Sequence, residues 1–128
     1  MDTPEARHKA VEIKVTAAYA TVTTVLLGMP IPIALPPAIG GRAYRVEKAC
    51  QHALELLADM PLSSYLRSAA REMLLDWMAA FDVLVEHAEA LQEGAFETWR
   101  LDFAEVQVTR VMAAGDHLIA ELQAQGDG

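Results

Sequence analysis

The chain has a single cysteine among its 128 residues, so it can form no internal disulfide. Cys50 falls on an apolar helix position and reads as a buried thiol in a reducing compartment, which makes a cytoplasmic location the expectation. Positive charge is also short. Ten Lys and Arg against 18 Asp and Glu leave a formal charge of −8. Nucleic acid is excluded as a partner on that balance, because phosphate recognition normally needs a basic face. The deficit is uneven: between Arg71 and Arg100 there is no Lys or Arg, while seven acids occur. A partner steered by charge is therefore expected to be a basic protein, met by the ladder Asp82, Glu86, Glu89 and Glu93.

The usual signatures of chemistry are missing too. There is no His-x-x-x-His and no His-Glu-x-x-His, the spacings that bring imidazoles and carboxylates onto one helical face around a metal. Gly40-Gly41 ahead of Arg42 lacks the further glycines and the lysine of a phosphate loop. Cys50 has no electropositive, exposed setting to make it a nucleophile, and Ser63 and Ser64 read as helix caps. No metal, no cofactor and no catalytic residue are expected.

Charge of either sign is absent from Val15 through Gly41, and four of the six prolines (Pro30, Pro32, Pro36 and Pro37) stand in that stretch. A membrane span needs about 20 consecutive apolar residues, whereas Val15–Leu27 carries four threonines and is closed by Gly28 and Pro30. A buried helix is the expectation, not a membrane contact. The prolines make residues 28–41 a long extended connection, neither helix nor central strand. No PxxP spacing supports a proline-ligand role. Ile31, Ile33, Leu35 and Ile39 are expected to fold over a bundle or to meet another subunit.

What is present is helical periodicity. With 53% apolar residues, a chain of this length suits one domain that buries roughly two-thirds of its unfolded surface. Thr3-Pro4-Glu5 is a start signal for a first helix at about 4–27, although the alternation Val11, Ile13, Val15 also admits a strand. A second helix at about 42–60 carries the stripe Val46, Cys50, Ala53, Leu57, Met60. The third, about 63–93, has two apolar seams, one through Met73, Trp77, Leu84 and His87 and one through Leu74, Met78, Phe81 and Val85. Two seams require two or more neighbours, so this helix is expected to be central in the bundle or in an oligomer. The fourth, about 96–123, places Gly115 on its seam, which implies close approach by a neighbour.

These elements predict an all-α, antiparallel four-helix bundle with one long connection between the first and second helices. Rise and turn positions place His52 and His117 in one layer, with Glu55, Glu72 and Glu121 within reach and His87 about 24 Å away. The expected function is that of a noncatalytic interaction protein, a homodimer meeting itself through Ile31, Ile33, Leu35, Leu74, Met78, Phe81 and Val85. The competing expectation is a small-ligand-binding protein or enzyme whose apolar cavity is lined by Trp77, Trp99, Phe81 and Phe103 with His52 and His117.

Overall fold

The computed structural model describes residues 3–37 and 43–127, and over these the chain is four helices without a strand: α1 (Pro4–Leu27), α2 (Ala43–Ala58), α3 (Ser64–Gln92) and α4 (Thr98–Asp127). Residues 38–41 of the proline-rich connection, with Ile39, and the expected first residue of α2 lie outside the described residues. Local chemistry sets the starts. Thr3 Oγ1 accepts from the Ala6 amide at 3.0 Å with Pro4 at the first helical position, and Ser63 Oγ accepts from the Leu66 amide at 3.2 Å. The alternation over residues 11–16 does not produce a strand, because the 3.6-residue pattern of Val11, Val15, Ala18, Val22 and Val25 buries one face of a helix.

Both turns are fixed by named groups. Between α2 and α3, Arg67 donates from Nη1 to the carbonyls of Met60 (3.3 Å) and Leu62 (2.8 Å), satisfying chain that has just left α2 at Ala58, two residues before the expected end. Between α3 and α4, Gly94 takes φ +79°, and the Ala95 amide returns to the Ala90 carbonyl at 2.8 Å. α4 begins two residues later than its periodicity suggests and continues to Asp127.

Contacts between side chains give the directions. Arg7 meets Asp102 (2.5 Å), Lys14 meets Glu105 (2.9 Å) and Thr21 meets Met112 (3.4 Å), so α1 and α4 ascend together. His8 meets His87 and Trp77 meets Val15, while Arg110 meets Glu72 (3.0 Å) and Tyr65 meets His117 (3.1 Å). α3 therefore runs against both. Ala43 and Glu47 lie beside Met78 and Asp82, and Leu57 lies beside Arg67, so α3 also opposes α2. The long connection is what lets α1 and α2 point the same way, since only a crossover can return the chain to its starting end.

α3 is the centre of the bundle. It packs against α1, α2 and α4; α1 also packs against α4, while α2 packs against α3 alone. Its core residues Ala70, Met73, Leu74 and Ala80 are fully buried. Gly115 faces α1, where a Cβ would lie far under 3.0 Å from Thr21 Cγ2, so the close approach is made by a threonine side chain. The connection forms a strap over the gap left by α2. The Ile33 amide bonds to the Leu26 carbonyl (3.0 Å), Met29 and Ile33 are buried, and the Tyr19 hydroxyl donates to the Pro36 carbonyl.

Candidate functional site

The gap between α1, α2 and α3 contains a half-open cleft. Trp77 forms its floor because its indole N–H is anchored on the Val15 carbonyl at 3.0 Å, which fixes the ring between the two helices. Phe81 stands edge-on to that ring (centroids 5.1 Å apart, planes at 81°), and Tyr19 packs behind it at 4.7 Å. One lobe, about 290 Å³, runs to His8, Glu12 and Thr16 on α1; a smaller lobe of about 70 Å³ runs to Glu47, Met78 and Asp82. Val85 and Ala43 belong to both lobes.

A histidine pair stands at the α1 end. His8 Nδ1 and His87 Nδ1 are 2.8 Å apart, with ring planes within 13° and centroids 5.0 Å apart. The centroid separation exceeds the nitrogen separation by about two ring radii, so the nitrogens face each other along the line of centres, edge to edge. One Nδ1 must carry the hydrogen and the other must accept it. His8 Nε2 lies 3.9 Å from a Glu12 carboxylate oxygen, whereas His87 Nε2 is buried with no partner. If His8 were the donor, the buried Nε2 of His87 would carry an unsatisfied N–H and the His8 Nε2 lone pair would face a carboxylate. With His87 as donor, a His8 N–H faces the carboxylate and the buried Nε2 of His87 is left as an unpaired acceptor in place of an unpaired N–H. The network thus assigns the Nδ1–H tautomer to His87 and the Nε2–H tautomer to His8.

That arrangement resists charge. Burial holds the His87 pKa below the ordinary imidazole value, and His8 and Arg100 act in the same direction, against a smaller opposing effect of Glu97. Phe96 closes the far side of the His87 ring, edge-on at 6.1 Å. The pair is a hydrogen-bonded tie between the first turns of α1 and the last turns of α3. Nearby groups are equally subdued. Burial, and then Glu47, push the Cys50 thiol up to about 11, while burial, and then Cys50, push the Tyr19 phenol up to about 12. Neither is a nucleophile or base at neutral pH.

The layer expected to join His52 and His117 does not form, because α2 and α4 are not in contact. His52 is exposed beside Glu55 at 3.7 Å, and His117 is exposed and bonded to the Tyr65 hydroxyl. Of the four aromatics expected around one cavity, Trp77 and Phe81 line the cleft. Phe103 is exposed on α4, and Trp99 is 58% exposed with the Arg100 guanidinium 4.7 Å from its ring centre. Among the residues expected at a subunit contact, Leu74 and Ile33 are buried inside the chain, Met78, Phe81, Val85 and Leu35 are half-buried, and Ile31 is 62% exposed.

The site residue that pattern reading missed is His8. Its signal was there: 8, 11, 15, 18, 22 and 25 are spaced 3, 4, 3, 4, 3, so His8 extends the buried seam of α1 as His87 extends that of α3. Among the described residues, no group of three or more His, Cys, Asp or Glu is placed to hold a metal ion. In comparisons with known proteins, no family model, no curated protein and no solved structure matches this chain.

Proposed function

We propose that the chain is a noncatalytic helical interaction protein that self-associates, and that α1 is the surface through which it does so. The observation carrying this reading is the outward face of α1: Ala10, Ile13, Ala17, Ala20, Thr24 and Leu27 recur at spacings of 3 and 4, carry no charge, and are all exposed. The opposite face of the same helix is packed into the core. A helix that is apolar on both sides is normally covered on both sides. α3, whose two seams suggested surplus surface, has its neighbours within the chain; the uncovered seam is on α1 instead.

A second copy is the favoured cover. Small residues at a seam let two backbones approach closely, and a two-fold axis matches one α1 seam to another without requiring a different partner surface. α1 is long and apolar enough to cross a membrane by length and composition, with mean hydropathy 1.4 over an 18-residue window, of which 39% is buried within the chain. That burial, on the side facing α3 and α4, supports a protein contact over lipid. The acidic ladder offers a second surface: Asp82, Glu86, Glu89 and Glu93 are all exposed, although Glu86 is engaged by Arg100. A basic protein is the partner this surface suits.

Light scattering with native mass spectrometry at micromolar concentration tests the reading. The expected result is a dimer that Ile13→Glu converts to monomer with unchanged helical content. A monomer across that concentration range, or a dimer indifferent to Ile13→Glu and Ala17→Glu, would refute it.

A further inference from the structure

We infer that the cleft between α1, α2 and α3 binds a small organic cation: an ammonium group carried on one aromatic ring or a short alkyl chain. The shape supplies the apolar half of this assignment. The floor is Trp77, Phe81 and Val85, and the larger lobe, at about 290 Å³, sits at the small end of ligand pockets, which run from roughly 300 to 1,000 Å³. A single ring or short chain fills it; a peptide helix or a nucleotide does not fit.

The charge supplies the rest. Three carboxylates line the two lobes, Glu12 at one end and Glu47 and Asp82 at the other, and no lysine or arginine among the described residues lines either. Glu47 and Asp82 form no ion pair among the described residues. Glu12 has Lys9 at 3.2 Å, an exposed surface pair of small worth, and the His8 Nε2 at 3.9 Å, beyond hydrogen-bond reach. An anionic ligand would add like charge beside an apolar wall, and a neutral one would leave the carboxylates without a counter-charge. An ammonium offsets them, and the aromatic face of Phe81 adds attraction for a cation at the apolar floor. His8 and Glu12 lie off the Ala17 seam of α1 and Thr16 borders it, so the site adjoins the self-association surface without using its residues.

Three probes of similar size separate the alternatives: phenethylamine, the neutral phenethyl alcohol and the anionic hydrocinnamate. Binding is followed by amide NMR shifts and by Trp77 fluorescence in a Trp99→Phe variant, which leaves one of the two tryptophans. The expected result is saturable binding of the amine about tenfold tighter than the alcohol, weakened by salt, with no binding of the carboxylate. Glu12→Gln, at a partly exposed position, should weaken the amine several-fold toward the affinity of the alcohol and leave the alcohol unchanged. Ala88→Phe should fill the lobe and abolish both. Equal affinity for amine and alcohol, preference for the carboxylate, absence of saturation at millimolar amine, or indifference to Glu12→Gln would each overturn the assignment. Repeating the titration with Ile13→Glu separates this outcome from the oligomer question.

Discussion

Replacing Gly115 by alanine sets two effects of opposite sign against each other. A glycine inside a helix costs about 1 kcal/mol relative to alanine, so on propensity alone Gly115→Ala should stabilise the protein. The structure reverses that expectation. The new methyl would sit far under 3.0 Å from Thr21 Cγ2 on α1, with Thr21 Cβ at 3.7 Å and Met73 Sδ at 3.9 Å closing the remaining directions. Ordinary carbon contacts are about 3.5–4.0 Å, so the overlap is roughly an ångström or more. Thr21 cannot yield cheaply, since a β-branched side chain is stiff at χ1 and its hydroxyl is held on Met112 Sδ at 3.4 Å. Overpacking of this kind costs about 1–3 kcal/mol, which leaves Gly115→Ala destabilising by about 0–2 kcal/mol. In a Thr21→Ser background the offending methyl is gone while the hydroxyl remains. There Gly115→Ala should stabilise by about 1 kcal/mol, or about 3–5 °C in Tm for a chain of this size. Urea unfolding of the four proteins, followed by far-UV circular dichroism, gives the coupling directly, expected at about 1–3 kcal/mol. If Gly115→Ala stabilises by the same amount in both backgrounds, the close α1–α4 approach is wrong.

Two further outcomes are expected from the buried groups. The folded pKa of His87 lies below its unfolded value of about 6.5, so its contribution is fully present above that pH and is lost as pH falls from there toward the folded value. The urea midpoint should drop over that window and His87→Leu should remove the drop; a drop that survives the substitution would place the titration elsewhere. Cys50, protonated and buried, should react with iodoacetamide only as fast as the bundle opens and should be labelled at once in denaturant. Native labelling at the rate of a free thiol would contradict its position in the core.

Much of the fold was legible because each helix carries its own local evidence. Thr3, Pro4 and Ser63 are caps that need only their next three residues, and the stripe Val46, Cys50, Ala53, Leu57 can be read without knowing what covers it. The central role of α3 followed from counting its seams. Gly115 was readable for the same reason, since a glycine on an apolar seam has no local justification and so points to a neighbour. What could not be read was which faces meet. The register of α4 on α3 depends on where the turn reverses, and α4 begins at Thr98, after an unwound segment in which Gly94 alone takes positive φ. The separation of His52 from His117 has a different cause: α2 packs on α3 without reaching α4, a matter of how four cylinders are arranged and not of rise per residue.

The direction of the helices explains why the strap, the cleft and the bare face of α1 occur together. Short turns force α2 and α4 to oppose α3, and α1 also opposes it, so α1, α2 and α4 ascend around one descending helix. α4 sits close to α1, held by the Arg7–Asp102 and Lys14–Glu105 pairs outside and Gly115 against Thr21 inside. α2 does not close the other side, since it lies on α3 alone. The space that a fully closed bundle would fill with helix-to-helix contact is filled in part by Met29, Ile33 and Leu35 of the strap, and the remainder is the cleft floored by Trp77 and Phe81. The outer face of α1 is left without a neighbour for the same geometric reason. Among the described residues, three helices around one supply α1 with a partner on the α3 side and one on the α4 side, and nothing beyond. A protein that needed only a stable monomer could place lysines and glutamates at residues 13, 17 and 20 at no cost to the core. The apolar choice at those positions is therefore the feature that stability of the single chain does not explain, and the proposed self-association would.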